Sequence, residues 1–141
     1  MASPDIKARK REDYPYMLDY RTRCFDSAVN AYLIEHCNLL PPTSKETPLA
    51  VHSHTDYISS IAYPAVAEVG VRVNKLGKSS VTYEVALFEK GVDGVKAVGE
   101  FVHVYIDRAK GRPTAAGMSD SLRKNLEKIK IGAPPLARAK L

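Results

Sequence analysis

One change of period governs what this chain can fold into. Between residues 25 and 38 the set Phe25, Val29, Tyr32, Leu33 and His36 falls at i, i+4, i+7, i+8 and i+11, one face of a helix. Beyond residue 50 the period drops to two and stays there through four stretches: VHSHTDYISS, AEVGVRVNKL, SSVTYEVALFEK and VKAVGEFVHVYIDR. Val69, Val71 and Val73 share a face in the second. Val81, Tyr83, Val85 and Leu87 do so in the third, and Val98, Val102, Val104 and Ile106 in the fourth. The fourth stretch is apolar on both faces near its end, the pattern of a central strand. Before the helix, Tyr14 to Arg23 also alternates, which places Tyr14, Tyr16, Leu18, Tyr20 and Thr22 on one face. The order is therefore strand, helix, then four strands joined by short turns. One helix laid on an antiparallel sheet is an α+β solution. A single helix leaves the sheet's other face or edge, near Val102 to Ile106, for a second subunit to cover.

The boundaries follow from composition. Residues 1–13 are polar and expected to fray, 14–130 form the domain, and 131–141 are expected to be a flexible tail. LLPPTSKETP ends the helix, and Asp-Gly in KGVDGVK signals a hairpin. SDSLRKNLEKIK predicts a short surface helix with Leu122, Leu126 and Ile129 as its apolar stripe and Ser119 or Asp120 as its cap. The chain's 141 residues suit one domain with a true core. No apolar run approaches the ~20 residues of a membrane span. MASPDIKARKRED lacks the apolar region of a secretory signal, and its acidic residues argue against a mitochondrial presequence. Cys24 and Cys37 are the only cysteines, without a CxxC pair, and are expected as reduced thiols.

The net charge of +5 is concentrated towards the ends. Lys7, Arg9, Lys10 and Arg11 form one cluster. Arg123, Lys124, Lys128, Lys130, Arg138 and Lys140 form another. Neither interleaves aromatics, so nucleic acid is not the expected partner. A small phosphorylated ligand needs only a few of these charges.

Several motifs narrow the chemistry. Gly77-Lys78-Ser79-Ser80 fails as a nucleotide-binding loop, because the preceding glycine, Gly70, is too far away and the segment leads into a strand. It reads either as a hairpin turn or as a phosphate cradle of backbone amides with Lys75, Lys78, Ser79 and Ser80. His52 and His54 share a strand face, but the sequence offers no third ligand, so no metal is expected. Ser53, His54 and Asp56 cannot converge as a triad, because neighbours on a strand point to opposite faces. Asp26 lies near the helix start, where a carboxylate serves as general base, nucleophile or first-turn acid. His103 and Cys37 read as packed structural residues.

The span from Tyr57 to Pro113 resembles the hotdog-fold acyl-CoA thioesterases of the 4-hydroxybenzoyl-CoA thioesterase type. Pro64, Gly70, Leu76-Gly77-Lys78-Ser79-Ser80, Tyr83-Glu84, Val102 to Asp107 and Arg112-Pro113 carry the likeness, and FDSAVNAYL resembles the end of that family's central helix. The resemblance implies a five-stranded antiparallel sheet around one central helix. It implies a homodimer or homotetramer with active sites between subunits, no cofactor, and acyl-CoA or CoA bound with its phosphates near Lys75, Lys78, Ser79 and Ser80. The chain departs from the family at one place. There the first strand runs into D-x-D-x-x-G-H-x-N-N, which supplies the catalytic aspartate and the helix amides that polarise the thioester. Here Arg23 is followed directly by Cys24-Phe25-Asp26. Asp26 matches a position inside the helix, not the missing aspartate. The expected function is acyl-CoA hydrolysis with impaired activity. The alternatives are an inactive hotdog protein that binds acyl-CoA or a partner subunit, and a shortened isoform or gene-model product. The chain ends Ala139-Lys140-Leu141, a variant of the Ser-Lys-Leu address, so a peroxisomal import receptor is an expected partner and the peroxisome the expected location, with the cytoplasm as alternative.

Overall fold

The computed structural model describes residues 6–20, 25–37, 46–61, 66–107, 109–113 and 117–132. Strand β1 is Tyr16–Tyr20, β2 Glu46–Tyr57, β3 Ala67–Leu76, β4 Ser80–Glu89 and β5 Val95–Asp107. Helix α1 is Phe25–Cys37 and α2 is Asp120–Glu127. The five strands form one antiparallel sheet in the order β1-β3-β4-β5-β2. The period-two faces decide what lies inside. Val69, Val71, Val73, Val81, Tyr83, Val85 and Tyr105 pack against Ala28, Val29, Tyr32 and Leu33 of α1. Met118, Leu122, Leu126 and Ile129 close that core from the α2 side, and Ser119 caps α2 by accepting from the Leu122 amide. No described helix is long and apolar enough to cross a membrane.

The sheet corrects the position of the apolar edge. Val102 to Val104 pair with β4 on one side, and Val102 to Ile106 with β2 on the other, so β5 is interior, as its two apolar faces require. The edge is β2. It presents Leu49, Val51 and Tyr57 to solvent, at 47%, 57% and 84% exposure. As the end strand of the sheet it pairs on one side only, with β5.

A second correction concerns the N-terminus. Residues 1–13 read as a frayed segment, yet Ile6–Ala8 and Arg11–Asp13 form two 3-10 turns lying over the sheet face that α1 leaves bare. Tyr14 does not share the face of Tyr16. A bend at Pro15 puts Tyr14 with Ala86, Phe88, Val95 and Val98, while Tyr16 joins the α1 core. Gly70 makes this possible, because a Cβ there would stand 2.7 Å from the Tyr14 Cβ. Polar pairing holds the segment down. Glu84 accepts from Arg9 Nε at 2.8 Å, Tyr14 Oη at 2.6 Å, Asn74 Nδ2 at 3.1 Å and Arg72 Nη2 at 3.3 Å. Arg11 binds Glu68 and the carbonyls of Glu89 and Val92, and its guanidinium covers the Phe88 ring. The basic cluster Lys7 to Arg11 is thus partly a buried anchor. A charge run in sequence does not reveal the carboxylates that a sheet will place opposite it.

Candidate functional site

The β3–β4 turn is built as a rigid platform. Within it the Gly77 amide donates to the Ser80 carbonyl at 2.8 Å. Outside it, the Ser79 carbonyl accepts from the Tyr105 amide at 2.7 Å and the Lys78 carbonyl from the Met118 amide at 3.0 Å. Arg123 Nη2 donates to the Gly77 carbonyl at 2.7 Å. Gly117, at φ +82°, passes so close that a Cβ would lie 2.5 Å from the Lys78 oxygen. These contacts point the carbonyls inward and leave Lys75 and Lys78 exposed, with Ser79 and Ser80 half-buried. The Gly77 amide is consumed internally, so attraction for an anion here rests on the lysines.

The same contacts join two charge groups that are far apart in sequence. After α2 the chain runs beside β3, with Val73 bonded to Ile129 and Ile131, each at 2.8 Å. Arg123 is therefore fixed to the turn and Lys130 lies beside Val73. Lys124 and Lys128, also exposed, extend the basic surface along α2 and its C-cap, against the acids Asp120 and Glu127 of that helix. A cluster of cations on a fixed scaffold suits an oligophosphate.

Asp26 stands in the first turn of α1. Its side chain, Cys24 and the Arg23–Cys24 junction lie outside the described residues, as do Ala139, Lys140 and Leu141. The N-terminal amides of such a helix are donors for a developing oxyanion. At the opposite end sits a carboxylate–imidazole pair that the sequence reading did not single out. Tyr16 Oη donates to Glu35 at 3.2 Å, His36 Nε2 lies 3.3 Å from Glu35, and His36 stacks on Tyr32. No amide donors point outward at a helix C-terminus, so this pair lacks the oxyanion stabilisation that thioester cleavage requires. Burial pushes the Cys37 thiol up to about 12, which leaves it a packing group, not a nucleophile. His103 is buried among Tyr83, Phe101 and Tyr105. His52 and His54 lie on the exposed face of β2, with Glu100 of β5 beside them. Ser53 pairs with Phe101 and points to the other face, so no triad forms.

Comparison with known proteins gives this geometry its relatives. The PA5185 protein of Pseudomonas aeruginosa is 35% identical, with a TM-score of 0.81 over 88% of this chain and 97% of that one. A Staphylococcus aureus protein, SAV2348, solved in complex with CoA, matches at TM-score 0.72 and 13% identity over 96% of this chain and 92% of its own. A 1,4-dihydroxy-2-naphthoyl-CoA thioesterase from Synechocystis matches at TM-score 0.65 and 10% identity over 81% and 96%. No curated protein matches. The architecture, a five-stranded antiparallel sheet with two helices, is the hotdog fold. The family model for the thioesterase superfamily matches residues 22–95, more than half of the sequence, and the chain belongs to that superfamily.

Proposed function

We propose that this chain binds acyl-CoA with the CoA phosphates at Lys75 and Lys78, and that it hydrolyses the thioester poorly. The observation that carries the reading is the joining of the β3–β4 turn to the basic α2 segment through Arg123. The CoA complex of the Staphylococcus aureus protein of the same fold supports it. The 4-hydroxybenzoyl-CoA thioesterase type is the finer assignment that the sequence resemblance favours. Exposed charge contacts are weak singly, so the test reverses two. Lys75→Glu with Lys78→Glu is expected to weaken CoA binding about tenfold or more, and the loss should shrink as salt rises. Lys90→Glu, at the far end of the sheet, serves as control. Calorimetry that finds equal affinity in the double variant and the parent removes the phosphates from this turn.

The departure at Arg23–Cys24 favours a second reading, a binding protein without turnover. It predicts the same CoA affinity and no thiol release.

The active unit is proposed to be a homodimer, or a homotetramer built from it, with β2 as the joining edge. Leu49 and Val51 are exposed on a long end strand that pairs on one side only, with β5, the kind of edge that another strand extends. Val51→Lys is expected to shift sedimentation towards the monomer at micromolar concentration. A parent protein that already sediments as a stable monomer would refute this.

Peroxisomal import is proposed from Ala139-Lys140-Leu141. An N-terminal fluorescent fusion should be punctate in a eukaryotic cell and diffuse after deletion of Leu141. A diffuse intact fusion overturns it.

A further inference from the structure

We propose that His52, His54 and Glu100 form a site for a divalent cation of the zinc class, with one coordination position open. The proposal stands apart from the acyl-CoA reading and uses only the outer face of the sheet. Three features of the fold create it. His54 is the direct cross-strand partner of Glu100, so their side chains leave the same face. His52 is two residues from His54 on the same strand, just after a register shift between Ala50 and His52 that re-aims the strand. The donors then converge: His52 Nε2 is 3.4 Å from His54 Nδ1, and one donor from each of the three residues lies within 4.8 Å of the others.

The spacing of the two imidazole nitrogens matches what a metal demands. Tetrahedral zinc with bonds of about 2.0–2.2 Å places neighbouring donors roughly 3.3–3.5 Å apart. The two nitrogens already have that separation, and the Glu100 oxygen, within 4.8 Å of both, has to move closer to complete the set. Charge argues the same way. Glu100 has no ion-pair partner among the described residues. Its neighbour across the sheet, Glu84, takes Arg9, Arg72, Tyr14 and Asn74 for itself. A half-buried carboxylate beside two imidazoles is thus left for a cation to complete. Both histidines are exposed, which gives the ion a path in and leaves a fourth position for water or another ligand. Two nitrogens and one oxygen favour zinc, nickel, copper or cobalt over magnesium and calcium, which require oxygen-rich sets.

The test uses the full chain, free of any histidine tag and stripped of metal with a chelator. Titration with zinc chloride in a calorimeter is expected to show one saturable site per chain, and magnesium chloride none. Cobalt chloride should produce the visible absorption of a low-coordinate site. His52→Ala, His54→Ala and Glu100→Gln should each weaken zinc binding at least about tenfold. His36→Ala should leave it unchanged. The three site residues lie at the sheet surface, so the variants should keep the parent's circular dichroism, recorded alongside. Absence of saturable zinc binding overturns the proposal, and so does binding undiminished by either His52→Ala or His54→Ala. Binding indifferent to Glu100→Gln overturns it too, because two histidines then suffice without the carboxylate.

Discussion

Insertion of a D-x-D-x-x-G-H-x-N-N segment between Arg23 and Cys24 is expected to raise acyl-CoA turnover by about 10²–10⁴-fold, the usual worth of general acid–base help. The parent chain is expected to release thiol slowly or not at all. The reason lies in which groups stand where. Hydrolysis needs a carboxylate to attack or to activate water, and donors aimed at the developing oxyanion. Among the described carboxylates, Glu84 is saturated by four partners on the sheet face away from α1. Glu35 is tied to Tyr16 at the C-terminal end of α1, away from helix amides that could serve as donors. The sequence resemblance implies that this segment is absent here, and the insertion would then supply a base and added helical turns together. Thiol release from several acyl-CoA lengths, measured for both proteins, decides the matter. If the parent turns over at ordinary enzyme rates, Asp26 becomes the candidate base, and Asp26→Asn should then abolish activity. If both proteins are folded, bind CoA and release no thiol, the hydrolase reading gives way to that of a binding protein.

The fold was legible where a pattern is local. The switch from helical to strand period named α1 and β2 to β5, because a half-buried strand must alternate and a half-buried helix must not. Side-chain chemistry likewise narrowed the α2 cap to Ser119 or Asp120, and Ser119 takes it. What stayed hidden depends on pairing between distant residues. The edge position of β2 is fixed by strand order, which the alternation of Val102, Val104 and Ile106 does not encode. The burial of Arg9 depends on Glu84, seventy-five positions away. Glu100 became visible as a third ligand only when the β2–β5 register set it opposite His54. The turn at Lys75 to Ser80 was readable as a phosphate candidate, whereas its union with Arg123 and Lys130 was not. In the turn before β5 the left-handed residue is Gly91, at φ +86°, although Asp93-Gly94 gave the hairpin signal. Glycine at either place satisfies the same need to reverse the chain.

Glu84→Gln is expected to cost roughly 3–5 kcal/mol of stability, the usual penalty for breaking a buried ion cluster. The substitution preserves shape and removes the charge. Arg9 and Arg72, both nearly buried, would then face a neutral amide, and the Tyr14 hydroxyl would lose its strongest acceptor. The same network makes stability depend on acid. Burial alone would raise the Glu84 pKa, but hydrogen bonds from Arg9, Tyr14 and Asn74, with the charge of Arg72, outweigh it and hold the carboxyl at about 2, against an ordinary value of 4.5. A depressed folded-state pKa stabilises the protein above the unfolded value and ceases to do so as pH falls through the folded one. This contribution is therefore whole above pH 4.5 and is lost between there and pH 2. It amounts to about 3 kcal/mol, from 1.36 kcal/mol per pKa unit. Urea unfolding of the parent and Glu84→Gln at pH 7 and at pH 3 separates the effects. The gap between the two proteins should be largest at pH 7 and narrow at pH 3, where the parent's carboxyl begins to protonate. The N-terminal turns should loosen first in the variant, seen as faster amide exchange at Arg9 and Tyr14, because Glu84 is the group that ties them to the sheet. A gap below about 1 kcal/mol at pH 7, or one that does not change with pH, would show that Arg11 with Glu68 and the Tyr14–Phe88 contact hold the segment without Glu84.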